Sequence, residues 1–108
     1  SNMDRLEMLL KLFEQDSENS FLCFGIAKEY ESRENPEKAN EWYQLLVGKD
    51  PGYTGVYYHL AKNYMSTLKK DEALKTIEQG ISICKTKNAQ HDLAELNNLK
   101  MNILIGED

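Results

Sequence analysis

Few side chains in this chain are of a type and spacing that could carry chemistry. The histidines are His59 and His91, and no HxxE, HExxH or CxxC spacing accompanies either of them, so neither a metal centre nor a catalytic base is indicated. Both read as surface histidines. Cys23 and Cys84 have no partner motif for nucleophilic catalysis, and two thiols make no disulfide framework. Cys23 reads as a small buried apolar residue. The carboxylates Glu29, Glu31, Glu34 and Glu37 crowd one segment as a solvated charge run, not as an acid/base pair. No phosphate-binding or dinucleotide fingerprint is present, and no cofactor is implied. What remains is a pair of lysines, Lys28 and Lys62, whose separation of 34 residues directs attention to the elements that carry them.

That separation is a repeat. Ala27, Lys28, Tyr30 and Ser32 return as Ala61, Lys62, Tyr64 and Ser66, and Ala39 returns as Ala73. Self-similarity at a fixed period of this length indicates stacked supersecondary units instead of one irregular core. The chain of 108 residues is long enough for one domain, and 41% apolar with 29% charged residues is an ordinary folding composition. Its net charge of −5 argues against non-specific nucleic-acid binding, which depends on Lys and Arg neutralising phosphates. Trp42, Tyr43 and Tyr53 accordingly read as core and turn packing, not as a base-stacking platform. No apolar run approaches the ~20 residues needed to span a bilayer. Ser1 and Asn2 read as an expression-tag remnant at residues 1–2, with Met3 as the native start and no signal peptide, and the expected setting is the reducing cytoplasm.

The periodicity predicts an all-α chain of about six helices in a single domain over 3–108. Met3, Leu6, Leu9, Leu10 and Phe13 make residues 3–15 an amphipathic helix, and Ser20 is the expected cap of the next. One repeat length places Leu9 opposite Tyr43 and Leu12 opposite Leu46. Residues 3–15 are therefore a half-repeat, a second helix without its first, expected to cover the open apolar end of the stack. Repeat one spans 20–53, with helices over 20–33 and from Pro36 to about residue 47. Pro36 suits the first turn of a helix and disfavours helical geometry at Asn35. Repeat two spans 54–87, with helices over about 54–67 and 71–84. A connection over 85–88 leads to a last helix over 89–105, and the short turns make sequential helices antiparallel neighbours.

On these residues the chain resembles the tetratricopeptide repeat family. Ala27 and Ala61 hold that family's small position in the first helix, where helices approach closely and a larger side chain would overpack. Tyr30 and Tyr64, Ala39 and Ala73, and Tyr43 and Ile77 match further packing positions, and Pro51 matches the proline between repeats. Cys23, Leu46, Gly80 and Lys85 depart from the pattern. The resemblance implies a short right-handed α-solenoid and a non-enzymatic scaffold whose first helices line a concave, partner-binding groove. Transferred residue by residue, that groove shows Phe21, Phe24, Gly25, Lys28 and Glu31 from repeat one, and Gly55, Tyr58, His59, Lys62 and Met65 from repeat two.

Stacking would set Lys28 and Lys62 on one stripe, where two ammonium groups attract a carboxylate. Phe24 and Tyr58 would grip an apolar side chain or pack between helices, and the sequence leaves both open. Gly25 and His59 stand where a clamp for a C-terminal carboxylate would want asparagine, so that clamp is incomplete. The implied partner is a protein or peptide, with neither nucleic acid nor membrane. In the last helix, apolar residues spread around much of the circumference, which suggests either that the helix curls into the groove and buries both sides or, as an alternative function, weak homodimerisation across a two-fold axis through Leu96, Leu99 and Ile103.

Overall fold

The computed structural model describes residues 3–106, so the tag reading for residues 1–2 lies outside it. Six helices follow one another among the described residues: α1 (Arg5–Gln15), α2 (Ser20–Ser32), α3 (Pro36–Lys49), α4 (Val56–Ser66), α5 (Lys70–Lys87) and α6 (Gln90–Leu104). Each packs mainly on its sequence neighbours, and α4 also touches α6. The stack is elongated, measuring 49 × 28 × 19 Å.

Local chemistry accounts for the helix ends. Asp4 and Glu7 form a reciprocal capping box on α1, at 2.9 and 3.2 Å. The cap of α2 is Asn19, whose Oδ1 accepts from the Leu22 amide at 3.0 Å. Ser20, expected in that role, instead donates its hydroxyl to Asp50 Oδ2 at 2.6 Å and ties the start of α2 to the end of α3. Pro36 opens α3 as the sequence predicts, with Asn35 accepting from the Lys38 amide. Helix α4 begins at Val56 and not at residue 54, and the Thr54 hydroxyl before it donates to Asp92 Oδ2 on α6, 2.6 Å away. Helix α5 runs through Lys87, absorbing most of the expected connection over 85–88. Lys85 and Lys87 suit the negative end of a helix dipole, and Asn88, in the left-handed region at φ 56°, closes it. Glu34 and Leu68 end α2 and α4 in the same left-handed conformation, so the repeat is written in the backbone as well as in side chains.

The core runs along the stack where first and second helices face each other. Cys23, Ala27, Ala39, Tyr43 and Leu46 of repeat one and Tyr57, Ala61, Ala73, Ile77 and Cys84 of repeat two belong to one continuous buried cluster. Burial raises both cysteine thiols above their ordinary range, so Cys84, like Cys23, is a packing residue. Gly80 has no room for a side chain. A Cβ there would lie 2.6 Å from Tyr57 Cβ and 2.8 Å from Leu96 Cδ1, which places α4, α5 and α6 at their closest approach. Between repeats, Asn63 Nδ2 donates to Asn40 Oδ1 at 2.9 Å, a buried polar link from α4 to α3.

The two ends are the reverse of the sequence expectation. Helix α1 sets Leu9 against Gly25 and Phe13 edge-on to Trp42, 5.2 Å between centroids, yet it has no fully buried residue and leaves Met8 and Leu12 exposed. Leu12 is open because its counterpart Leu46 is covered by the first helix of its repeat, and α1 has no such helix. At the other end Leu96, Leu99 and Ile103 are 0%, 5% and 2% exposed. They close the core of repeat two and offer no surface for a second copy, which corrects the expected self-association site.

Candidate functional site

Helices α2 and α4, with Gly55 just before α4, carry the residues expected in the groove, and the structure sorts them into two groups. One group is internal. Tyr43 on α3 donates its hydroxyl to Glu31 Oε1 on α2, and His59 Nδ1 on α4 lies 3.2 Å from the same oxygen. The His59 ring stacks on Tyr43 at 5.7 Å and meets the edges of Phe24 and Tyr58 at 5.5 and 5.7 Å. Tyr53, in the turn after α3, closes on Phe24 at 5.2 Å. His59 is therefore not a plain surface histidine: its side chain is 25% exposed and is held among aromatic rings. Phe24 is a packing residue joining the repeats. Met65 is half-buried against the core, and Gly25 faces Leu9 of α1 instead of open groove. Gly55 precedes α4 at its N-terminus.

The electrostatics of this cluster are set by burial and hydrogen bonding. Burial pushes the Tyr43 phenol far above its ordinary range, and the accepted hydrogen bond and charge of Glu31 push the same way, so Tyr43 remains a donor. Burial would also raise the Glu31 carboxyl. Hydrogen bonds from His59 and Tyr43, with the positive charges of His59 and Lys28, outweigh it and hold Glu31 below its ordinary value of 4.5. A carboxyl depressed on folding adds stability that is fully present above its unfolded value and is lost as pH falls through the lower folded value. Melting temperatures measured from about pH 7 to about pH 3 should therefore show a smaller acid-side loss for Glu31→Gln than for the unaltered protein. A difference that widens toward acid would contradict this account.

The second group faces solvent. Phe21 and Lys28 lie seven residues apart on one side of α2, both exposed, and Lys62 on α4 is the counterpart of Lys28. Lys62 Nζ rests 5.7 Å from the centre of the Tyr58 ring. No carboxylate pairs with Lys28 or Lys62 among the described residues, whereas Arg5, Arg33, Lys38, Lys49 and Lys100 all have acidic partners.

Helix α6 adds residues that the sequence reading did not assign. Glu95, Asn98 and Asn102 join Tyr58, Lys62 and Leu99 around a crevice of about 220 Å³ between α4 and α6. A shift of register hid them. Leu96 and Leu99 occupy the places of Leu60 and Asn63, 36 residues earlier and not 34, so Asn98 and not Leu96 continues the Lys28–Lys62 stripe. The stripe thus carries two ammonium groups and two carboxamides, with the Glu95 carboxylate beside them. His91, Asp92 and Glu95 also come within 4.8 Å of one another on α6. Asp92 is already engaged by Thr54 and the His91 side chain is 86% exposed, so these three show no organised metal site.

A chain of antiparallel helix pairs whose first helices present a row of equivalent side chains is a helical-repeat scaffold. No protein-family model and no curated protein sequence matches the chain at a significant level, but solved structures do. The tetratricopeptide repeat domain protein of Salinibacter ruber, seen in a crystal structure, is 34% identical; the match covers 78% of this chain and 93% of that one, with a TM-score of 0.74. Its solution structure matches with the same identity and TM-score over 85% of its length. A Bordetella parapertussis protein superposes at a TM-score of 0.84 over 97% of this chain and 91% of its own, and at 20% identity it shows the fold alone. The chain belongs to the tetratricopeptide repeat family. That fold is generally used for protein–protein interaction. No helix among the described residues is long and apolar enough to cross a membrane.

Proposed function

We propose that the protein is a non-enzymatic cytoplasmic adaptor whose groove holds an acidic or carboxylate-bearing segment of a partner protein. One observation carries the reading: Lys28 and Lys62 stand exposed at equivalent positions on α2 and α4, without an acidic partner among the described residues. Glu31 is engaged by Tyr43 and His59, and Glu95 lines the crevice with Lys62 without an ion pair to it. The carboxamides of Asn98 and Asn102 supply donors and acceptors suited to a peptide backbone. Tyr58 offers a ring beside the Lys62 charge and Phe21 an exposed ring two turns from Lys28, and aromatic residues are common in binding hot spots.

The test is Lys28→Glu with Lys62→Glu against a fluorescent peptide library graded in net charge. Binding of acidic peptides should weaken by about tenfold or more, with a loss of salt dependence, since charge reversal costs at least a kcal/mol or two at such a rim. Lys75→Glu on α5 serves as the charge control. Equal loss in the control, or none in the double variant, would remove the lysines from the site.

A further inference from the structure

We infer that His59 makes the groove's hold on an acidic segment depend on pH: protonated, it screens Glu31 and leaves Lys28 and Lys62 to the segment, and neutral, it lets Glu31 repel that segment. The inference rests on the acid-binding reading of the groove and concerns how that same surface is regulated.

The histidine sits between the charges. His59 Nδ1 lies 3.2 Å from Glu31 Oε1, so the neutral ring carries its proton on Nδ1, facing the carboxylate, and the proton that comes and goes is the one on Nε2. Aromatic rings hold the imidazole there. It stacks on Tyr43 and meets Phe24 and Tyr58 edge-on, while Tyr43 donates to the same carboxylate oxygen. A change of charge on this ring is therefore delivered in place, at the point where α2, α3 and α4 come together.

Charged and titratable groups surround it on every side. Helix α2 contributes Glu31 and Lys28, whose charge also acts on Glu31, and α3 contributes Tyr43. Tyr53 stands behind Phe24 in the turn after α3, Tyr58 and Lys62 lie on α4 itself, and Glu95 of α6 lines the crevice beyond Tyr58. Of these residue types, histidine alone ordinarily changes charge between about pH 6 and pH 8. Glu31 and Glu95 balance Lys28 and Lys62 in number, so the proton on His59 gives this surface its net positive charge. Binding an acidic segment favours the charged imidazole, and affinity rises as pH falls. One unit charge at roughly 7–10 Å from a bound carboxylate, at the dielectric of a protein surface, changes affinity about threefold to tenfold. His91 lies 3.9 Å from Glu95, but its side chain is 86% exposed and water screens its charge.

The anisotropy of a rhodamine-labelled tetraglutamate peptide, measured at low ionic strength from about pH 8 to about pH 6, tests this. The unaltered protein should bind about threefold to tenfold more tightly at the lower pH. His59→Gln should lose that change, and His91→Gln should keep it. Glu31→Gln gives a second readout, because removing the repelling carboxylate should bring the affinity at pH 8 close to that of the unaltered protein at pH 6. Circular dichroism checks that each variant keeps its helix content. Binding that ignores pH, or a pH dependence that survives in His59→Gln or disappears in His91→Gln, would overturn the inference and leave the acid-binding reading in place. An absence of binding at both pH values would overturn the two together.

Discussion

Gly80→Ala is expected to destabilise the protein, even though alanine is the better helix former by about 1 kcal/mol. The reason is the atom that the new methyl group meets. Tyr57 Cβ lies 2.6 Å from the site and is fixed to the backbone of α4, so relief requires moving α4 against α5. Leu96 Cδ1, at 2.8 Å, can rotate away more easily, but α6 rests on the same spot. Overpacking of this kind costs about 1–3 kcal/mol, which overtakes the gain in propensity and lowers the melting temperature by several degrees for a domain of this size. Gly48→Ala is the matched comparison. It lies in the last turn of α3 with nothing within 4 Å of the added atom, and should stabilise by up to about 1 kcal/mol. If both substitutions raised the melting temperature alike, the close approach at Gly80 would be wrong.

A larger loss is expected from Leu99→Glu combined with Ile103→Glu. Both residues face inward from α6, so the substitutions bury two carboxyl groups in the space that closes repeat two. Each must be desolvated, be protonated or force the helix away, and changes of this type lie in the range above about 4 kcal/mol. Total stabilities of small domains are only about 5–15 kcal/mol, so the double variant should lose α6 or unfold altogether. Urea denaturation followed by circular dichroism reads this directly. Met101→Glu with Asn97→Glu, on the exposed side of the same helix, should stay within about 0.5 kcal/mol of the unaltered protein. Comparable midpoints for the two pairs would mean that α6 is docked by its other face.

These two cases show what the sequence does and does not disclose. Ala27, Ala61, Ala39 and Ala73 mark close helix approaches, and such positions tolerate few residue types, so the repeat is readable from them. Gly80 departs from the family pattern, and only the meeting of three helices shows it as a tighter version of the same contact. Helix α6 is harder still, because apolar residues lie on more than one side and periodicity alone does not choose the inward one. Glu31 and His59 were expected in the groove and Tyr43 in the packing, but nothing in the sequence signalled that the three meet. They stand on three helices, at separations that follow no helical or strand period. Lys28 and Lys62 were legible because equivalent positions in stacked repeats necessarily fall in one row.

The neighbour-to-neighbour packing of the stack has a kinetic side. Nearly every stabilising contact joins helices adjacent in sequence, so little loop-closure entropy stands between the unfolded chain and its first native contacts. Folding of such a chain starts locally and spreads along it. Opening follows the same line in reverse and need not be all-or-none. Helix α1, with no fully buried side chain, is then the segment whose amide protons exchange soonest, while α4 and α5, gripped on both sides, hold theirs until the whole stack opens.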